Sequence, residues 1–229
     1  MTSITQDIQA TPQAPSTGSM KMIATLGIIS LVSGLLLAIV YQSTLDPIAR
    51  NNEGRTEAAV KDLLEGTVSQ KIFPVSTTGG KGETIQQNIY AGYDGSGALV
   101  GVALEAIDNG GYGGEIRLLY GYLPDQEKVC GMKVLLSKET PGLGDRIKTD
   151  PKFAANFDAL DVALDADKKN LKNPVSFSKP GAPKGPGQIE GISGATISSK
   201  AVTRAMNAST SALLPKVHEM LDELKEGGK

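Results

Sequence analysis

The 229-residue chain has one cysteine, one histidine and no tryptophan. A single cysteine, Cys130, excludes an internal disulfide and any cysteine-rich zinc or iron–sulfur cage. A single histidine, His218, leaves too little for a histidine-based metal centre or a Ser-His-Asp triad. Aromatic residues make up only 4% of the chain, so a base-stacking platform is missing. A surplus of positive charge is missing too. The 23 Lys and Arg stand against 25 Asp and Glu, and a net charge of −2 gives no field to hold nucleic acid. No catalytic or metal-ligating residue is assigned on this composition. With 40% apolar and 21% charged residues, the chain is neither disordered nor a bundle of many membrane helices. Glycine is plentiful, at 27 residues, and its clustering carries the information.

Residues 1–20 are rich in Thr, Ser, Gln and Pro, carry no apolar period, and read as a disordered tail. Residues 22–41 hold no charge, between Lys21 and Asp46. At about 1.5 Å per residue they span roughly 30 Å, the thickness of a hydrocarbon core. A cleavable signal peptide is the competing reading, but the following Tyr41-Gln42-Ser43-Thr44-Leu45-Asp46-Pro47 lacks small residues in a cleavage pattern. The boundaries expected are a tail over 1–20, a membrane anchor over 21–42 and one soluble domain over 43–229. Ser30, Gly34 and Ala38 recur every four residues in the anchor, as close helix packing requires and as membrane spans commonly show anyway. Lys21 on one flank and Arg50 and Arg55 on the other do not decide orientation.

In the soluble part, residues 55–65 predict a helix with Ala59, Val60, Leu63 and Leu64 on one side. Two hairpins follow: 88–93 with 98–107 around Asp94-Gly95-Ser96-Gly97, and 116–122 with 128–136 around Leu123-Pro124-Asp125-Gln126. Cys130, Met132, Val134 and Leu136 are expected on one face of the last strand, with Cys130 as a small buried apolar side chain. A short helix over 151–160, a short strand over 175–178 and a Pro/Gly/Lys loop over 179–187 come next. From Ser198 onward the pattern is helical, with Pro215 expected to kink or split it and His218 on its surface. The order predicts an α+β fold. A single N-terminal transmembrane helix precedes a domain with a largely antiparallel sheet flanked by helices.

Three glycine-rich motifs stand out. Glu190-Gly191-Ile192-Ser193-Gly194-Ala195-Thr196-Ile197-Ser198-Ser199 places small and hydroxylic residues at a helix entrance. Unpaired amides and the positive end of the helix dipole favour phosphate there. An ordinary capped helix start reads the same way. The segment lacks the Gly-Lys pair of a phosphate-binding loop, and a nucleophile elbow would find no histidine to act as base. The second motif, Glu139-Thr140-Pro141-Gly142-Leu143-Gly144-Asp145, follows a strand directly. The third, Gly110-Gly111-Tyr112-Gly113-Gly114-Glu115, precedes one. Each alone is compatible with a plain loop.

Membrane anchor, Gly-Tyr-Gly-Gly, Glu-Thr-Pro-Gly-Leu-Gly and Ser-Gly-Ala-Thr-x-Ser in this order resemble the FMN-binding subunits of bacterial ion-pumping respiratory complexes. The RnfG family of Rnf electron-transport complexes is the better match. The NqrC family, from the sodium-translocating NADH:quinone reductase, is its neighbour. The resemblance implies FMN carried by a phosphoester on Thr196, with Ser193, Gly194, Ala195, Ser198 and Ser199 around it. It implies that Glu139, Thr140, Gly142 and Leu143 border the ring or ribityl chain, together with Tyr112, Gly113 and Gly114. A flavin transferase would read the acidic residue three before the Ser-Gly-Ala-Thr run, here Glu190 where relatives carry Asp. Relatives often have His two residues before the Glu of the second motif, where this chain has Ser137. The implied function is one-electron relay among membrane and redox subunits, with the domain on the periplasmic or outer face and no nucleic-acid partner. Two other readings remain: a membrane-anchored binding module, and a hydrolase acting through Ser193.

Overall fold

The computed structural model describes residues 17–78 and 84–228. The chain divides into two compact units, 1–52 and 53–229. Of the tail expected over 1–20, residues 1–16 lie outside the described residues, and helix already starts at Thr17.

The described residues of the first unit belong to one long helix, α1 (Thr17–Leu63). It contains a segment with mean hydropathy 2.5, long and apolar enough to cross a membrane. Helix was expected in two pieces, before and after Pro47, yet α1 continues through it. Proline removes one backbone donor, the one that would reach the Ser43 carbonyl four residues back, and α1 loses that single bond without ending there.

In the second unit a six-stranded sheet runs in chain order, each strand antiparallel to the last. Its strands are β1 (Ser69–Thr78), β2 (Thr84–Tyr93), β3 (Leu99–Gly111), β4 (Gly114–Leu123), β5 (Lys128–Ser137) and the two-residue β6 (Leu160–Asp161). Between β5 and β6 lie two single-turn helices, α2 (Arg146–Thr149) and α3 (Pro151–Ala154). Then β7 (Ser176–Ser178) and β8 (Gln188–Glu190) pair in parallel, and the chain ends in α4 (Thr196–Glu219) and α5 (Leu221–Glu226). β1 escaped the sequence reading. It is an edge strand and contains Pro74, which is tolerated at an edge because no neighbour needs its missing N–H.

Each face of the sheet receives one helix. Ala201, Val202, Ala205, Met206, Leu213, Leu214 and Val217 of α4 share a core with Ile89, Val102, Leu104, Leu118 and Tyr120. The opposite face takes the end of α1, where Ala59, Val60, Leu63 and Leu64 pack on Tyr90, Ala103 and Leu119 as their spacing predicted. A steric reason fixes where α1 lands. Gly92, Gly101, Gly121 and Gly131 lie on four adjacent strands and form a trough. A Cβ on Gly92 or Gly101 would come within 2.9 Å of Leu64, and one on Gly131 within 3.0 Å of Leu63.

Two expectations are corrected. Cys130 does not share a face with Met132 and Val134. It packs with Leu135 under α1 and donates to the Leu63 carbonyl at 3.4 Å, while Met132 and Val134 join the α4 side. Register shifts between β4 and β5 at Gly121/Tyr122 and Arg117/Leu118 insert extra residues and reverse the alternation. Leu136 is left exposed. Pro215 does not split the last helix, since α4 runs through it to Glu219 and the break comes at Met220.

Candidate functional site

The three glycine motifs meet at one end of the sheet. Gly110 to Gly114 form the tip of the β3–β4 hairpin, Glu139 to Asp145 leave the adjacent end of β5, and α4 starts beside them. One side chain ties all three. Glu139 is 7% exposed. Its Oε1 accepts from the Gly113 backbone N–H at 3.2 Å, and its Oε2 from the Ser198 hydroxyl at 2.9 Å. A second tie lies outside: Arg204 of α4 donates to both Asp108 carboxylate oxygens, at 3.0 and 2.7 Å, and to the Gly110 carbonyl at 3.2 Å. Hydrogen bonding to Asp108 pushes the Arg204 pKa further up.

Between these ties opens a cleft of about 580 Å³, lined by Tyr112, Glu139, Thr140, Leu143, Gly144, Gly194, Ala195, Thr196, Ile197 and Ser198. Thr196, the first residue of α4, is exposed. Ala195 at the cap position offers no side-chain acceptor, so the capped-start reading of the motif does not describe this helix. First-turn amides have no partner within a helix, which leaves this end open to an anionic group. Gly194 has φ +84°, a left-handed conformation that side chains disfavour, and it turns the chain sharply into the helix. Tyr112, Leu143 and Ile197 are 73%, 57% and 51% exposed, giving the cleft an apolar rim. Among the described residues Glu139 is the one charged residue in the lining.

Not every residue named from the sequence lines this cleft. Ser199 is fully buried, where its hydroxyl donates to the Ala195 carbonyl and accepts from Ile192 N–H, at 2.9 and 3.0 Å. It braces the turn from beneath. Gly113 reaches the site through Glu139, while Gly114 and Gly142 shape the loops without facing the cleft. Ser193 and Glu190 line a separate pocket of about 240 Å³ with Arg146, Asp150 and Phe153. There the Glu190 carboxylate accepts from Gly181 N–H at 2.7 Å, and buried Asn156 clamps the Glu190 backbone N–H and carbonyl at 3.0 and 3.1 Å.

Sequence reasoning missed Ile197 and Gly144 in the lining, although both sit inside quoted motifs. It also missed Arg146, whose guanidinium donates to the Ser193 carbonyl at 3.0 Å and to Asp150 at 2.7 Å. The hydrogen bond from Arg146 holds the Asp150 carboxyl below the ordinary aspartate value. Arg146 follows the second motif directly, which was the available signal. Nothing in the sequence pairs Arg204 with Asp108, 96 residues away.

Comparisons with known proteins bear on this site. Residues 111–211, which take in all three motifs except Gly110, match the FMN-binding domain family. The chain is 33% identical over 189 residues to the G subunit of the ion-translocating oxidoreductase complex of Methanosarcina acetivorans, covering 82% of this chain and 91% of that protein. It is 27% identical to the G subunit of the Na(+)-translocating ferredoxin:NAD(+) oxidoreductase complex of Acetobacterium woodii, over 80% and 86% of the two chains. The C subunit of the Na(+)-translocating NADH-quinone reductase from Parabacteroides distasonis shares the fold, with TM-score 0.53 and 21% identity over 73% of this chain and 94% of that one.

Proposed function

The chain belongs to the RnfG family, the G subunits of Rnf-type ion-translocating oxidoreductase complexes, and on that premise we propose that it carries FMN esterified to Thr196 and relays single electrons between neighbouring redox subunits. The observation that carries this reading is exposed Thr196 at an uncapped helix start, lining the cleft where all three motifs converge.

The residues present fit the group. The cleft lies within the matched domain, its floor of Gly194 and Ala195 lets a bulky ligand approach the backbone, and the first turn of α4 offers amides to phosphate oxygens. Charge explains why a bond would be needed. A free phosphate monoester carries about −1.5 to −2 near neutral pH. Among the described residues no Lys or Arg lines this cleft, and the one charge there, Glu139, is negative. Helix amides alone hold a dianion weakly, whereas an ester to Thr196 removes one charge and makes retention independent of ion pairing. The flavin supplies the one-electron chemistry, and the protein contributes position and electrostatics. Glu139 and Arg204 fix the hairpin tip that bears Tyr112 against α4. Arg146 and Ser199 hold the turn that presents Thr196.

Two relatives are named as subunits of ferredoxin:NAD(+) oxidoreductase complexes that move Na⁺ or protons. By analogy this subunit passes electrons within such a complex while ion movement occurs elsewhere in it, since residues 22–41 of α1 bear no charge. The domain is assigned to the periplasmic or outer face, anchored by α1. A flavin transferase would attach the group, reading Glu190 at the rim of the smaller pocket.

Intact-mass measurement of protein from its native source tests this directly. The expected result is the chain mass plus one FMN less one water, lost entirely in Thr196→Ala. A native chain without the adduct, or a variant that keeps flavin through a denaturing gel, overturns the assignment.

A further inference from the structure

We propose that Glu139 keeps the reduction potential of the flavin low by holding an uncompensated negative charge in the wall of the cleft, an inference that rests on the FMN reading above. The carboxylate is 7% exposed, and both oxygens accept from neutral donors, Gly113 N–H and the Ser198 hydroxyl. Among the described residues Glu139 forms no ion pair. The arginines tied to the neighbouring segments are already committed, Arg146 to Asp150 and Arg204 to Asp108. Glycines pack against the carboxylate and keep it dry: a Cβ on Gly111 would come within 2.6 Å of Oε1, and one on Gly144 would overlap Oε2. A charge fixed in such a place is poorly screened by water or salt.

The consequence follows from charge balance. When a reduced one-electron carrier passes an electron to the flavin, the carrier is oxidised by one and the flavin gains one negative charge, unless a proton enters with it from solvent. A fixed carboxylate in the wall of the same cleft opposes that gain, so reduction is disfavoured. A neutral isostere removes the opposition. In Glu139→Gln the amide oxygen still accepts from Gly113 N–H, and the amide NH₂ donates to Ser198, whose hydroxyl can accept as readily as donate. Both ties to the hairpin and to α4 are kept.

Redox titration of the purified full-length protein, followed by flavin absorbance, is the test. Glu139→Gln is expected to retain covalent flavin and to titrate at higher potential, by on the order of tenfold in the reduction equilibrium, about 59 mV for a one-electron step. A shift that persists at high salt marks a buried charge. An unchanged potential with flavin still attached overturns the inference and leaves Glu139 as a brace only. Colourless wild-type protein overturns the FMN reading, and this inference with it. Should the Gln variant fail to fold, Glu139→Met, uncharged and of similar volume, takes its place and is expected to raise the potential too. No rise there also overturns the inference.

Discussion

At the scale of single residues, the site depends on backbone that approaches too closely for side chains. Gly113 faces the Lys138 carbonyl with no room for a Cβ. Gly113→Ala therefore has to push the hairpin tip away from β5 and lengthen the bond to Glu139. Overpacking of this kind costs about 1–3 kcal/mol. The expected outcome is a lower denaturation midpoint together with reduced flavin incorporation, both measurable on one preparation. Unaltered stability would mean that the tip yields freely and that Glu139 does not tie it down. Glu139 itself was visible in the sequence as part of a motif, but its role was not. A motif says that a residue is near a site. It does not say that both of its carboxylate oxygens are spoken for by a hairpin and a helix, because those partners are 26 and 59 residues away. Thr196 was legible for the opposite reason: its setting is local, a glycine turn followed by a helix start, and local patterns survive in sequence.

At the scale of elements, helices and hairpins were read well where periodicity and turn chemistry agree. The Asp94-to-Gly97 turn shows why: the Asp94 carboxylate accepts from Ser96 and Ala98 amides at 2.8 and 3.0 Å, which is local chemistry that residue types announce. β5 was read wrongly in detail because its bulges depend on the neighbouring strand. Alternation counted along one strand cannot register a residue inserted relative to another. The last helix was misread through its proline. Tertiary packing prevails there: Leu213, Leu214 and Val217 on either side of Pro215 are completely buried, and this holds the helix together across the missing hydrogen bond. The proline still costs something. Pro215→Ala is expected to raise stability by about 1–2 kcal/mol, less than the full ~3 kcal/mol of helix propensity because proline also stiffens the unfolded chain. A denaturant titration measures this. A loss of stability would show that the ring packs too well to replace.

At the scale of the molecule, both core clusters are built from residues 59 onward, and the first compact unit contributes none of them. A fragment beginning at Glu53 is thus expected to stay monodisperse without detergent and to keep the circular dichroism of a sheet with helices, while the full chain needs detergent. Aggregation of the fragment on size-exclusion chromatography would show that α1 before Glu53 supports the fold. The overall architecture was legible because an uncharged run of 20 residues and a succession of hairpins are global patterns. The seat of α1 was not, since the four glycines that form it are scattered from Gly92 to Gly131 and line up only once the strands pair.

That trough also fixes a length. β3 passes Gly101 beneath Leu64 and ends at Gly111 beside the cleft, so about ten residues at roughly 3.3 Å each, about 30 Å, separate the seat of residues 59–64 from the cleft within the second unit. The sheet is in effect a ruler. Inserting two residues in each of β3 and β4 would preserve which side chains face inward while extending the reach by roughly 7 Å. Such graded spacers offer a way to measure how far the subunit must stretch to meet its neighbours.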